Sequence, residues 1–526
     1  MSKKSSSVNT LRPGPYSKLI SRFYEPLILL TALGKTRGAH LPAPYDSTTL
    51  QLKRRRLLRN LSYLCDYEKG GDTTCSIGIE EREECFNIWV ASNRAKGVET
   101  MVSFLKPALG NVKRIIGLDK ENRKHEEEEF IRNCIEFAKS RVRKEIRMFI
   151  TAMKRFKACL DRNQIPTDAD LMAWVDRFDL WENYSIVEAC HLAYKERKAP
   201  QLERLSDIVN KHLGPSVSAD AFKEFRHYLG RLAHHVRAPK QVLEDAPELD
   251  RLFDEYHVYP VAPKPSNPRP LIDRKTTLSS MLVRMLPTGD PRLPGYQESL
   301  DALDKKLGIL NRVHDRYTNK NFKPIVHAEI LVLEHFYQGQ RTFVDNDKYI
   351  GCSKPACYCC HLYFRHHPSR PVEPESHQNV YPNWGVPALD GGTEDPRWIP
   401  QRDLLIKILE PIRLDALDQI SRRANPCKRH ADSMTGITMS TLALSLDPGA
   451  ASIGETPCIR RVFLTRKLTL PKCRASQGLD IGANPQLDPL FDIDSASEKN
   501  SIGSPPELLR DYASDCSSDS DGGAAL

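Results

Sequence analysis

The chain has 526 residues, 40% hydrophobic and 28% charged. That supports packed cores and, at about 150 residues per domain, more than one folded unit; a single small module and a wholly disordered protein are excluded. Lys and Arg number 77 against 68 Asp and Glu, a formal charge of +9. From Ala431 onward 8 basic and 13 acidic residues leave that stretch at −5 and the body before it at +14. A basic body suits a polyanion such as nucleic acid, because phosphate contacts need Lys and Arg, but ordinary solubility accounts for it equally well. The longest apolar run, Leu27 to Leu33, is far short of the ~20 residues that span a bilayer, and no apolar signal core follows the first lysines. The expectation is an intracellular chain, cytoplasmic or nuclear, with no membrane partner.

Residues 1–45 are polar and broken by Pro13, Pro15, Pro26, Pro42 and Pro44, which predicts a flexible N-terminus with at most a short element near Pro26 to Leu33. Residues 46–258 read as an all-helical domain. Its clearest helix runs from about Asn122 to Leu160, where Ile131, Cys134, Ala138, Val142, Ile146, Phe149, Met153, Phe156 and Leu160 fall at spacings of three and four. A second is signalled by Thr167 as N-cap with Asp170 three residues on, and two more lie near 202–213 and 219–235. The basic run Lys53 to Arg56 reads as an exposed helix face in preference to a nuclear import signal. Residues in this half suggest no chemistry, so a substrate-selecting role or a protein partner stays open, as does the oligomeric state. Five prolines between Pro260 and Pro270 mark a linker at 259–272, since no helix or central strand tolerates them. Short helix and strand signals fill 273–428, the last an amphipathic stretch from Leu404 to Ile420 kinked at Pro411. Residues 429–526, rich in Ser, Asp, Gly and Pro and ending in DYASDCSSDSDGG, predict a disordered acidic tail.

Fourteen cysteines are too sparse for a disulfide scaffold, but Cys352, Cys357, Cys359 and Cys360 fall within nine positions. Upstream, His327 and Glu329 precede apolar residues at helical spacing, so both sit in the first turn of a helix. Lys348 to Cys352 reads as a short buried strand, and Pro355 suits the start of a second helix, from which Cys357 and Cys360 project on one side. Two helix N-termini then converge. His327, Cys357 and Cys360 supply three ligands for zinc, leaving the fourth tetrahedral position to water. Glu329 is placed to take that water's proton, whose pKa zinc brings to ~7. Cys359 points elsewhere and is core. Cys352 is core, an alternative ligand or a pocket residue. Ser353 and Lys354, in the loop before the cysteine helix, are placed to touch substrate, Lys354 at a phosphate. Tyr358, His377, Tyr381 and Trp384 are candidates to stack on or bind a planar base, an interaction worth ~1–3 kcal/mol per ring.

His-x-Glu followed by Cys-x-x-Cys resembles the signature of the cytidine-deaminase-like zinc superfamily. More narrowly, Cys352-Ser-Lys-x-x-Cys-x-x-Cys360 with HQNVYPNW at 377–384 is similar to the OTT-type deaminase family, found largely in fungal proteins, over roughly residues 275–425. The resemblance implies a three-layer α/β/α domain around a mixed sheet and hydrolytic, zinc-dependent deamination of a cytosine or adenine base in a nucleotide or nucleic acid. One departure stands out: Ala356 separates Pro355 from Cys357, where the wider superfamily has proline directly before the first cysteine. Three other readings compete. A thiol redox motif at Cys357 to Cys360 leaves His327 and Glu329 unexplained. A zinc finger using His361, His366 or His367 fails on spacing. A deaminase-like module that keeps zinc only for folding has no need of Glu329.

Overall fold

The computed structural model describes residues 14–427 apart from 35, 44–48, 166, 213–216, 271 and 274–275. The first thirteen residues and the tail expected at 429–526 lie outside the described residues. In chain order the elements begin with helices α1 (Pro15–Leu33) and α2 (Thr49–Cys65), strands β1 (Cys75–Glu81) and β2 (Phe86–Ser92), and helices α3 (Ala95–Ile116), α4 (Lys120–Phe137) and α5 (Lys139–Arg162). Helices α6 (Ala169–Asp176), α7 (Ile186–Glu196), α8 (Pro200–His212) and α9 (Val217–Asp245) lead to strand β3 (Tyr256–Pro260). Then come α10 (Leu278–Met285), α11 (Leu293–Leu307), α12 (Ile309–Thr318), β4 (Ile325–Val326), α13 (Ala328–Gln338), β5 (Gly351–Cys352), α14 (Tyr358–His366), β6 (Trp384–Gly385) and α15 (Trp398–Ser421). No helix among the described residues is long and apolar enough to cross a membrane.

The main sheet has the order β3-β2-β1-β5 and is mixed. β1 and β2 form an antiparallel hairpin in register from Cys75↔Ser92 to Glu81↔Phe86. β3 joins β2 in parallel, and β5 joins β1 antiparallel with Ser76 opposite Cys352. Helices lie on both faces. On one, Gly78 leaves room for α13: a methyl group there would come within 2.8 Å of Val332 and Phe336. On the other, Ile77, Ile79, Ile88 and Val90 are buried with Leu57, Leu61, Met101 and Leu105 of α2 and α3. A separate two-stranded pair, β4 with β6, is parallel and sets Ile325 beside Trp384.

The half expected to be all-helical therefore contributes three of the four strands of the main sheet. Period-two alternation is weak in β1, where six of seven residues are buried, so a strand covered on both faces carries no amphipathic signature. The proline-rich stretch at 259–272 is not where contacts stop, because the sheet joins chain from both sides of it. Nor is all of 1–45 loose: α1 packs Tyr24, Leu27, Ile28 and Leu30 into the same core as α13, α14 and α15. Its Pro26 is tolerated within the helix because burial against that core supplies what the local sequence does not. The long helix expected from 122 to 160 breaks at Ala138 into α4 and α5. The second helix is capped by Asp168, whose carboxylate accepts from Leu171 N, and not by Thr167. Lys53 to Arg56 is not an exposed face: Lys53 pairs with Glu248, Arg54 with Asp345 and Asp347, Arg55 with Asp347 and Arg56 with Asp245.

In the helical half, Glu145 of α5 is buried and receives Arg231 at 2.7 Å, Arg141 at 3.1 Å and His235 at 2.9 Å. Burial alone would raise its carboxyl, but Arg231 and Arg141 outweigh burial and hold it well below the usual carboxylate range. Arg141 also donates to the Asp66 carbonyl at 2.7 Å, tying this cluster to the end of α2. Two measurements test these supports. Glu145→Gln should cost about 3–5 kcal/mol in urea unfolding at neutral pH, because it leaves buried cations uncompensated. That gap should narrow below about pH 4, since the stability from a depressed carboxyl is complete above its unfolded pKa and lost as pH falls. Gly351→Ala should cost roughly 1–3 kcal/mol, because a methyl group there would meet the Leu58 backbone at 2.6 Å, which cannot step aside.

Candidate metal centre

Two helix N-termini build the site. His327 is the N-cap residue of α13 and Cys357 that of α14, both extended in backbone, so each side chain leaves its helix at the positive end. The approach of α13 is secured from the sheet: Asn93, just past β2, accepts from Ala328 N at 2.8 Å. α14 is held by the 376–379 loop, where Asn379 O accepts from Tyr358 N at 3.0 Å and Ser376 Oγ donates to Ala356 O at 2.8 Å. That loop is itself paired with the N-terminal segment, with reciprocal backbone bonds between Leu41 and Ser376 and one from Arg37 N to Gln378 O.

His327 Nδ1 lies 3.7 Å from Cys357 Sγ and 3.3 Å from Cys360 Sγ. The three ligand atoms all fall within 4.8 Å of one another, a group able to hold a metal ion. Bond lengths of about 2.1 Å to nitrogen and 2.3 Å to sulfur in a tetrahedral shell put ligand atoms roughly 3.6–3.8 Å apart, so the group fits a zinc-sized ion with modest adjustment. Glu329, in the first turn of α13, is 5% exposed, and its Oε2 is buried with no hydrogen-bond partner. An orphaned buried carboxylate oxygen near a His/Cys/Cys group has capacity left for a polar partner such as water.

Burial disfavours a thiolate at Cys357, yet a side-chain hydrogen bond from Cys360 and the nearby His327 bring it down to about 6; the Cys360 amide also donates to its sulfur at 3.4 Å. Cys360 is pushed up by burial and by the Cys357 sulfur. Burial works against the cation at His327 as well, but Cys357 outweighs it and raises the imidazole.

The remaining residues singled out in the sequence are engaged in other ways. Trp384 is fully buried between Phe23 and Tyr363, and its indole Nε1 donates to Cys360 Sγ at 3.1 Å. No face of its ring is open for a base; its indole holds the Cys360 sulfur instead. Tyr358 is buried with its hydroxyl on Asp415 at 2.6 Å, and Arg37 reaches the same carboxylate at 3.1 Å. Ser353 Oγ accepts from Cys75 N at 3.1 Å, and Lys354 Nζ donates to Gly70 O. His377 Nδ1 accepts from Asn379 N at 3.0 Å. The ring of Tyr381 stands 6.2 Å from that of His327 and 5.9 Å from that of His377. Cys359 is buried in the core, and burial raises the thiol of Cys352. Pro355 and Ala356 precede α14 without entering it. Sequence reasoning missed Asn93 and the α1 contribution through Phe23, because their partners are hundreds of positions away, and Ser376, whose bond to Ala356 bridges 20 positions of irregular loop.

Residues 326–388 match the family model of the OTT_1508-like deaminases, a span that holds His327, Glu329, Cys357, Cys360 and the 377–384 motif. Over that span the chain is similar to the OTT-type deaminases. No curated protein and no solved structure matches the chain. The matched segment includes neither β1, β2 and the Asn93 that follows them nor α1 with Phe23.

Substituting Trp384 tests the support of Cys360. Trp384→Phe keeps most of the packed volume and removes the indole donor, so zinc affinity should fall about 10–100-fold in chelator competition, with the fold retained by circular dichroism.

Proposed function

We propose that the deaminase segment is a zinc-dependent hydrolytic deaminase acting on a cytosine or adenine base in a nucleotide or nucleic acid. The observation that carries this reading is the pairing of a His327, Cys357 and Cys360 ligand group with the buried, unpartnered Oε2 of Glu329. In this reading the two cysteines, as thiolates, and the neutral imidazole of His327 hold the ion. Bound zinc would act as a Lewis acid that makes water a nucleophile near neutral pH. Glu329 takes the proton of the attacking water at Oε2 and returns it to the exocyclic nitrogen, which leaves as ammonia. The backbone of Ala356, held by Ser376 and the 377–379 loop, keeps Cys357 oriented. Tyr381, beside His327, is the ring best placed to meet a planar base, and Lys354 lies close enough to His327 to oppose its charge. Helices on both faces of a mixed sheet support a cytidine-deaminase-like fold for this region. A module that keeps its metal only for folding would gain nothing from a buried carboxylate without a partner.

Purified full-length chain decides the matter. Elemental analysis should find close to one zinc per chain, lost in Cys357→Ser. Glu329→Gln should retain that zinc and the thermal midpoint, while ammonia release from a panel of free bases, nucleosides, nucleotides and oligonucleotides falls roughly 10²–10⁴-fold. Zinc-free wild type with a reversible Cys357 to Cys360 disulfide would favour thiol redox chemistry. Zinc-bound wild type that releases no ammonia across the panel would favour the interaction module.

A further inference from the structure

A second site stands apart from the metal centre, in the helical half. Between α7, α8 and α9 lies a cavity of about 570 Å³, within the ~300–1,000 Å³ range of small-molecule sites. Five basic side chains line it: Arg197, Lys198, Arg226, Arg237 and Lys240. Glu203 and Glu244 are the two carboxylates that face them.

The cations are only partly answered by the protein. Lys240 has Glu128 at 3.8 Å, and Arg197 lies over the Tyr194 ring at 3.4 Å while donating to a backbone carbonyl. Arg237 has no hydrogen bond or ion pair among the described residues. Burial depresses its guanidinium, and Arg59, Arg197 and Arg56 add to this, so its charged neighbours are chiefly other cations. The buried Nδ1 of His234, in the same wall, also lacks a hydrogen-bond partner. A half-buried guanidinium among like charges costs stability, and the protein's own carboxylates do not offset it. Planar guanidinium donors converging on a confined space match the oxygens of phosphate groups.

We propose that this cavity binds a compact phosphorylated molecule, its phosphates meeting Arg237 and Arg197 with Lys240 and Lys198 at the sides. A concavity of about 570 Å³ bounded by three helices matches a small ligand carrying two phosphates in size. The proposal is independent of the deaminase reading.

Isothermal titration of the full-length chain with pyrophosphate, ADP and a single-stranded oligonucleotide tests it. Pyrophosphate and ADP should bind saturably, and Arg237→Gln should weaken both about tenfold or more, with zinc content unchanged. Should Arg237→Gln fail to fold, the pair Arg197→Gln and Lys198→Gln, nearer the exposed rim, should show the same loss. Absence of pyrophosphate and ADP binding at millimolar concentration overturns the proposal, as does equal affinity in wild type and folded variants. Binding of the oligonucleotide alone overturns it in favour of a nucleic-acid contact.

Discussion

The structure depends on the meeting of two helix starts at one point. An imidazole at the N-cap of α13 and a thiol at the N-cap of α14 come within 3.7 Å, and a second sulfur one turn into α14 comes within 3.3 Å of the same nitrogen. Such an arrangement needs both helices aimed to within fractions of an ångström, which loops alone cannot secure. Here the aim is set by the sheet. Gly78 lets α13 lie close on β1, Gly351 lets β5 lie against α2, and Asn93 ties the α13 terminus to the end of β2.

Charge and burial act together around this point. Positive helix ends, the Cys360 amide and the Trp384 indole all favour negative sulfur, while burial opposes it. The result is one readily formed thiolate at Cys357 and one resisted at Cys360. A divalent ion would offset the second by supplying charge at close range, and the His327, Cys357 and Cys360 group could hold one. Glu329 lies beside this group with its Oε2 buried and without a hydrogen-bond partner.

The long segment between β2 and β3 forms its own core around Phe149, Phe156, Phe225 and Trp181. It returns to the sheet through α9 and β3, and through Arg141, which bridges Glu145 to the end of α2. The α7–α9 cavity lies in this part, so the chain carries two chemically different concavities: one of sulfur, imidazole and carboxylate, the other of guanidinium and ammonium groups.

What could be read from the chain alone was the local chemistry. The candidate ligand set, the carboxylate beside it and their placement at two helix starts follow from short spacings, because His-x-Glu and Cys-x-x-Cys are each read within one turn. The helices of the central region were legible for the same reason, since a 3.6-residue period is a local property. The division of the chain was not. β1 is buried on both faces and so has no alternation to read, α1 holds a proline that argues against a helix in isolation, and the partners of Trp384, Asn93 and Lys53 to Arg56 are distant in sequence. Whether an indole stacks on a base or holds a sulfur, and whether four basic residues face water or four carboxylates, is decided by long-range packing, which places groups by shape and buried area and leaves no periodic trace in the sequence.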